Sequence, residues 1–150
     1  MNVEEIEKKL SNEKIELSSS SKRTLAFTID EIIITFLFAI IFWDQVSQIK
    51  SNEQLIAYTK TLLPYILVVK FIYQAVFVYM YGATLGKLAM KIRVVETEYF
   101  GLPTLGQAIS RSIMRIVSEM LFYIGFVVAL FSPIRLTWQD RVASTLVVDV

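Results

Sequence analysis

Apolar positions gather in three long windows, about 24–43, 62–81 and 113–131, separated by stretches where polar residues dominate. Each holds about 20 residues, enough at ~1.5 Å rise per residue to cross a hydrocarbon layer of ~30 Å. A soluble helical bundle would give such helices a continuous polar face. These windows carry isolated charges instead, so the pattern predicts an all-α membrane protein with three apolar helical segments, the lipid bilayer being its first partner.

The windows differ in their punctuation. Residues 1–21 are polar with mixed charge, but Val3, Ile6 and Leu10 fall at helical spacing; either a surface helix or a disordered tail fits, ahead of a membrane domain at 22–150. The run Ser18 to Ser21 offers N-caps, Lys22 and Arg23 a water boundary, and Trp43 an interfacial anchor. No small-residue cleavage site follows the first window, which also contains acids, so it is expected to stay in the mature protein. The stretch 44–61 reads as a polar connection, with Pro64 near the start of the second helix.

Between the second and third windows the period changes. Leu85 to Met90 fits one or two helical turns, KIRVVET a short strand, and EYFGLPT a turn. Gly106 to Arg115 then leads into the third segment as a helix. Thr145 to Val150 reads as a second strand. The strands pair only if both lie on one side of the membrane, and then the third segment must return, as a broken or re-entrant hairpin bending near Tyr123 to Gly125. A simple crossing is the other possibility; the return is favoured.

Orientation follows from Lys and Arg in the short flanks. The N-terminal region through Arg23 holds five, the 44–61 loop two (Lys50, Lys60), and the 82–112 connector four (Lys87, Lys91, Arg93, Arg111). The positive-inside bias therefore places the N-terminus and the connector in the cytoplasm.

Composition narrows the chemistry. Apolar residues make up 55% of the 150, mean hydropathy is +0.54, and there is neither cysteine nor histidine. Disulfides, thiol catalysis and the commonest zinc ligands are thereby excluded, and no cofactor or metal site is expected. A net charge of +1 gives no reason to expect nucleic acid as a partner. GATLGKL has three residues between its glycines instead of four and Leu88 where a phosphate-binding loop carries Ser or Thr. Nothing else suggests an enzyme.

The charges inside the windows are the candidate site. Asp30 and Glu31 stand together in the first, and a carboxylate at mid-membrane costs ~2.5–3.5 kcal/mol on insertion scales. Arg23 shares a helical stripe with Asp30 at ~10 Å axial separation. Lys70 in the second segment and Arg115 in the third are the expected partners, and Arg111, Arg115 and Glu119 fall four residues apart on one stripe. Three acids against two bases nearly cancel. Such a cluster either lines an ion or solute path or fixes helix register as a structural device.

Taken in order, Arg23, Asp30, TLGKLAMKIRVVET from Thr84, RSIMR from Arg111 and QDRVASTLVV from Gln139 resemble the RDD family of bacterial membrane proteins, named for one arginine and two aspartates. The resemblance implies that Arg23, Asp30 and Asp140, followed by Arg141, are signature residues. It also implies an inner-membrane location and transport of an unidentified ligand, with cation–proton exchange suggested for some members. Ser144 stands where the family usually has Gly, and Glu119 where relatives often carry Asp. The function expected is a small transporter or transporter subunit for an ion or small solute, with homo-oligomerisation as a corollary of so few segments. The alternative is a non-transporting scaffold whose buried charges are structural.

Overall fold

The computed structural model describes residues 3–121, 127–131 and 134–150. Its elements run α1 (Val3–Glu13), α2 (Ser20–Ile41), α3 (Trp43–Ser47), α4 (Asn52–Tyr81), α5 (Leu85–Ala89), β1 (Ile92–Glu96) and α6 (Leu105–Met120). A 3₁₀ turn at Val128–Phe131, α7 (Trp138–Ala143) and β2 (Thr145–Asp149) complete it.

Among the described residues two helices, α2 and α4, are long and apolar enough to cross a membrane. Only 17% of the most apolar stretch of each is buried, whereas the core helix of a soluble protein would be mostly buried. Ile32, Phe36 and Ile40 of α2, and Val68, Ile72 and Met80 of α4, face outward, and the polar residues Asp30 and Gln74 face inward. This inversion suits a nonpolar solvent.

Ser19 caps α2 through the Lys22 N–H, and Ser51 caps α4 through the Gln54 N–H. The second cap corrects one sequence expectation. The stretch 44–61 is mostly helix, because Ser51 with Glu53 in the first turn is a strong helix start. Pro64 accordingly lies inside α4. Membrane helices accept such a proline because neighbouring groups take up the freed backbone bond. At 30 residues α4 is about 45 Å long, more than the hydrocarbon thickness needs.

The third apolar window is described only in part. It does not form one spanning helix among the described residues: Thr104 and Gln107 make a capping box that starts α6 at Leu105, and α6 ends at Met120. α6 is amphipathic in the inverted sense, with Ile113, Val117 and Met120 exposed and Arg111, Ser112, Arg115 and Ser118 buried. The expected bend at Tyr123 to Gly125 lies outside the described residues.

Both predicted strands form. β1 and β2 pair antiparallel, with Val94 opposite Val147 and Val95 opposite Leu146. The chain after α6 therefore comes back to β1, as a returning third segment requires. Both faces of this ribbon are covered. Val95, Leu146 and Val148 pack against Ile6 and Leu10 of α1, so the amphipathic-helix reading of the N-terminus is the one that forms. Ile92, Val94 and Val147 pack against Ala26, Val78 and Ala108. Leu17 adds an antiparallel bridge to Val148. The N-terminus, the connector and the C-terminus thus form one platform at one end of the α2–α4 pair.

Candidate functional site

Two polar clusters lie where α2, α4, α5, α6 and α7 meet. The first centres on Asp30, which is fully buried. Its Oδ1 accepts from the Tyr73 hydroxyl at 2.7 Å and the Gly86 N–H at 2.8 Å, and its Oδ2 accepts from the Thr84 hydroxyl at 2.7 Å. Gly86 is the second residue of α5, and the Leu85 N–H donates to the Tyr73 hydroxyl at 3.0 Å. Side chains of α2 and α4 therefore cap the N-terminus of α5, where a carboxylate also suits the exposed backbone donors. The Arg115 guanidinium lies 3.8 Å away.

Glu31, a helical step of about 100° round from Asp30, belongs to a different set of contacts. Lys70 Nζ bridges Glu31 Oε2 at 2.7 Å and Glu119 Oε2 at 2.9 Å. Arg115 donates to Gln74 at 2.6 Å and Glu119 at 3.2 Å, approaches Glu31 at 3.6 Å and lies over the Phe27 ring at 4.8 Å. Glu31 Oε1 is buried without a hydrogen bond among the described residues. A groove of about 310 Å3 runs between α2 and α4 from Val46 and Leu55, past Phe38 and Thr59, to Glu31 and Lys70.

The second cluster centres on Asp140. Its Oδ1 accepts from Arg111, which also donates to the Thr145 hydroxyl. Its Oδ2 accepts from Arg23 at 3.0 Å and from the Thr137 N–H at 3.0 Å, completing a capping box at the start of α7. Arg23 also donates to the Ser18 hydroxyl (2.8 Å), the Arg135 carbonyl (2.8 Å) and the Val147 carbonyl (3.1 Å). It thereby ties the start of α2 to β2. Burial works to raise the Asp140 pKa, but Arg111 and Arg23 outweigh it and hold the carboxyl below the usual range.

The structure brings together Asp30, Glu31, Lys70, Arg115 and Glu119. It separates Arg23 from them: although on the Asp30 side of α2, Arg23 is directed to Asp140 one or two turns nearer the platform. Lys70 pairs with Glu31 and Glu119, and Asp30 is held by hydroxyls and a backbone N–H. Arg141 is exposed at the end of α7 and joins neither cluster. Sequence reasoning passed over Tyr73, Thr84, Gly86 and Lys87. Thr84, Gly86 and Lys87 belong to the TLGK run, and no rule of spacing ties a short connector helix to an aspartate 54 to 57 positions earlier.

Lys87 lies between the clusters. It is buried, and its Nζ is 3.5 Å from the Thr84 hydroxyl. Burial first, then the positive charge of Arg115, push its amine down to about 7, with Asp30 acting in the opposite sense.

Two apolar helices with inward-facing charge, joined at one end by a small platform, define a membrane-type helical protein. The RDD family model matches residues 17–144, and the chain belongs to the RDD family. No curated protein and no solved structure matches it.

Proposed function

We propose that this RDD protein is a small transporter, or a subunit of one, that moves an ion or small solute past Glu31 and Lys70. It lies in a bacterial inner membrane, with both long helices crossing and the platform in the cytoplasm. The observation that carries this reading is the groove between α2 and α4, which ends on the Glu31–Lys70 ion pair. A cation, or a proton, is the class of ligand that a carboxylate at the end of such a groove takes. The groove is walled by the two long helices and by Val46 of α3, and a second copy of the chain closes it.

The scaffold reading draws on Asp30, whose oxygens are fully engaged. The two readings part at the groove. Because the chain has no native cysteine, Thr35→Cys and Thr59→Cys place single thiols along it. Transport predicts that both react with a membrane-impermeant thiol reagent in intact membranes, and that substrate ions slow the reaction. Inert thiols, beside a reactive control in the 48–51 loop, would mean a lipid-filled groove and favour the scaffold.

A further inference from the structure

Between the two clusters lies a cavity of about 20 Å3, lined by Arg23, Lys87, Arg111 and Arg115, with Asp140, Gln139 and Thr137 completing the polar wall. That volume holds one water-sized particle and excludes phosphate, sulfate or a carboxylate. Four cations converge on it, and the one carboxylate in the wall already accepts from Arg23, Arg111 and the Thr137 N–H. Arg111 is 1% exposed, and its Nε has no hydrogen-bond partner among the described residues. The Gln139 side-chain oxygen is likewise unpartnered.

Across both clusters five cations (Arg23, Lys70, Lys87, Arg111, Arg115) meet four carboxylates (Asp30, Glu31, Glu119, Asp140). One positive charge is left over in a setting where unpaired charge is costly. Either Lys87 gives up its proton or a monovalent anion enters.

We propose that this cavity is a binding site for a single monoatomic anion, a halide such as chloride, held by Lys87, Arg111, Arg23 and Arg115. The site is independent of the groove that ends at Glu31. Halide occupancy and protonation of Lys87 favour each other, because each removes the cost of the other. The groups that set this balance are Arg115 and Arg111 of α6, Asp30 and Arg23 of α2, Asp140 of α7, and Tyr73 of α4 through its bond to Asp30. With the amine lowered to about 7, Lys87 is charged below neutrality and neutral above it, so halide binds tighter on the acid side.

The test is the thermal midpoint of the purified full-length protein in chloride, bromide and gluconate at equal ionic strength. Near pH 6 both halides should raise the midpoint by about 2–4 °C over gluconate, and near pH 9 the difference should shrink. Lys87→Met should abolish the halide-specific rise, and bromide crystals of the wild type should show an anomalous peak in the cavity. Equal midpoints in all three salts would overturn the proposal, indicating a site filled by water. So would a halide effect that grows with pH, or one that survives in folded Lys87→Met. Should Lys87→Met fail to fold, the wild-type pH dependence and the bromide peak decide alone.

Discussion

The Gly86 N–H donates to Asp30 Oδ1 at 2.8 Å, and α5 lies so close to α2 that a Cβ on Gly86 would stand 2.0 Å from the Ala26 carbonyl oxygen. The bond and the close approach depend on each other. Gly86→Ala must push α5 off α2 and remove a donor from a buried carboxylate. The expected loss is about 3 kcal/mol or more, read as a lower unfolding midpoint in detergent or a failure to purify as a monodisperse species. A variant as stable as wild type would show that α5 does not dock on Asp30.

Asp140 joins α2, α6 and α7, and its removal strands Arg23 and Arg111 inside the protein. Asp140→Asn should cost about 3–5 kcal/mol at neutral pH, because it leaves buried cations uncompensated. The pH dependence has a definite sign. The folded pKa is depressed, so the stabilisation is present above the ordinary carboxylate range and fades as pH falls through the folded value. Wild type should lose stability in acid, and Asp140→Asn should show a flatter acid limb in midpoints measured across pH.

Ser144 caps the C-terminus of α7 with φ +50, in the left-handed region. A side chain there is strained, and Ser144→Gly relieves it. After allowing for the extra freedom glycine has in the unfolded chain, the variant should gain about 0.5–1 kcal/mol, measured by chemical or thermal unfolding.

Because α1, β1 and β2 share one platform, residues near both termini should be labelled from the same side of the membrane. Lys50→Cys, in the loop before α4, should react with an impermeant thiol reagent in intact cells. Asn12→Cys and Arg141→Cys should react only after the membrane is opened. Labelling of Lys50→Cys and Arg141→Cys from the same side would contradict the arrangement.

Much of this was legible in the sequence, for reasons that can be named. α2 and most of α4 follow from apolar length, and β1 and β2 from their β-branched runs. The inward stripe of α6 follows from the four-residue spacing of Arg111, Arg115 and Glu119. The start of α4 was misread because Pro64 suggested a boundary, whereas the Ser51 cap lies about three and a half turns earlier. The third window is apolar in composition, yet α6, which begins at Leu105 behind the Thr104 cap, turns Arg111, Ser112, Arg115 and Ser118 inward. At the site, charge matching brought Lys70, Glu31, Glu119 and Arg115 together. It did not give the partners of Asp30, because hydroxyls and a helix N-terminus carry no formal charge. Periodicity put Arg23 on the Asp30 stripe, ~10 Å along the helix, and tertiary packing turns it to Asp140.

The most direct test of transport is ion flux in proteoliposomes, with internal pH followed while sodium or potassium gradients are imposed on wild type, Glu31→Gln and Asp30→Asn, each checked for folding. Gln keeps the size of Glu31 and removes its charge. Transport past Glu31 predicts that wild type couples proton movement to the cation gradient and that folded Glu31→Gln loses at least tenfold in rate. Wild-type vesicles that move neither protons nor cations, or a Glu31→Gln protein that moves them as fast as wild type, would contradict it.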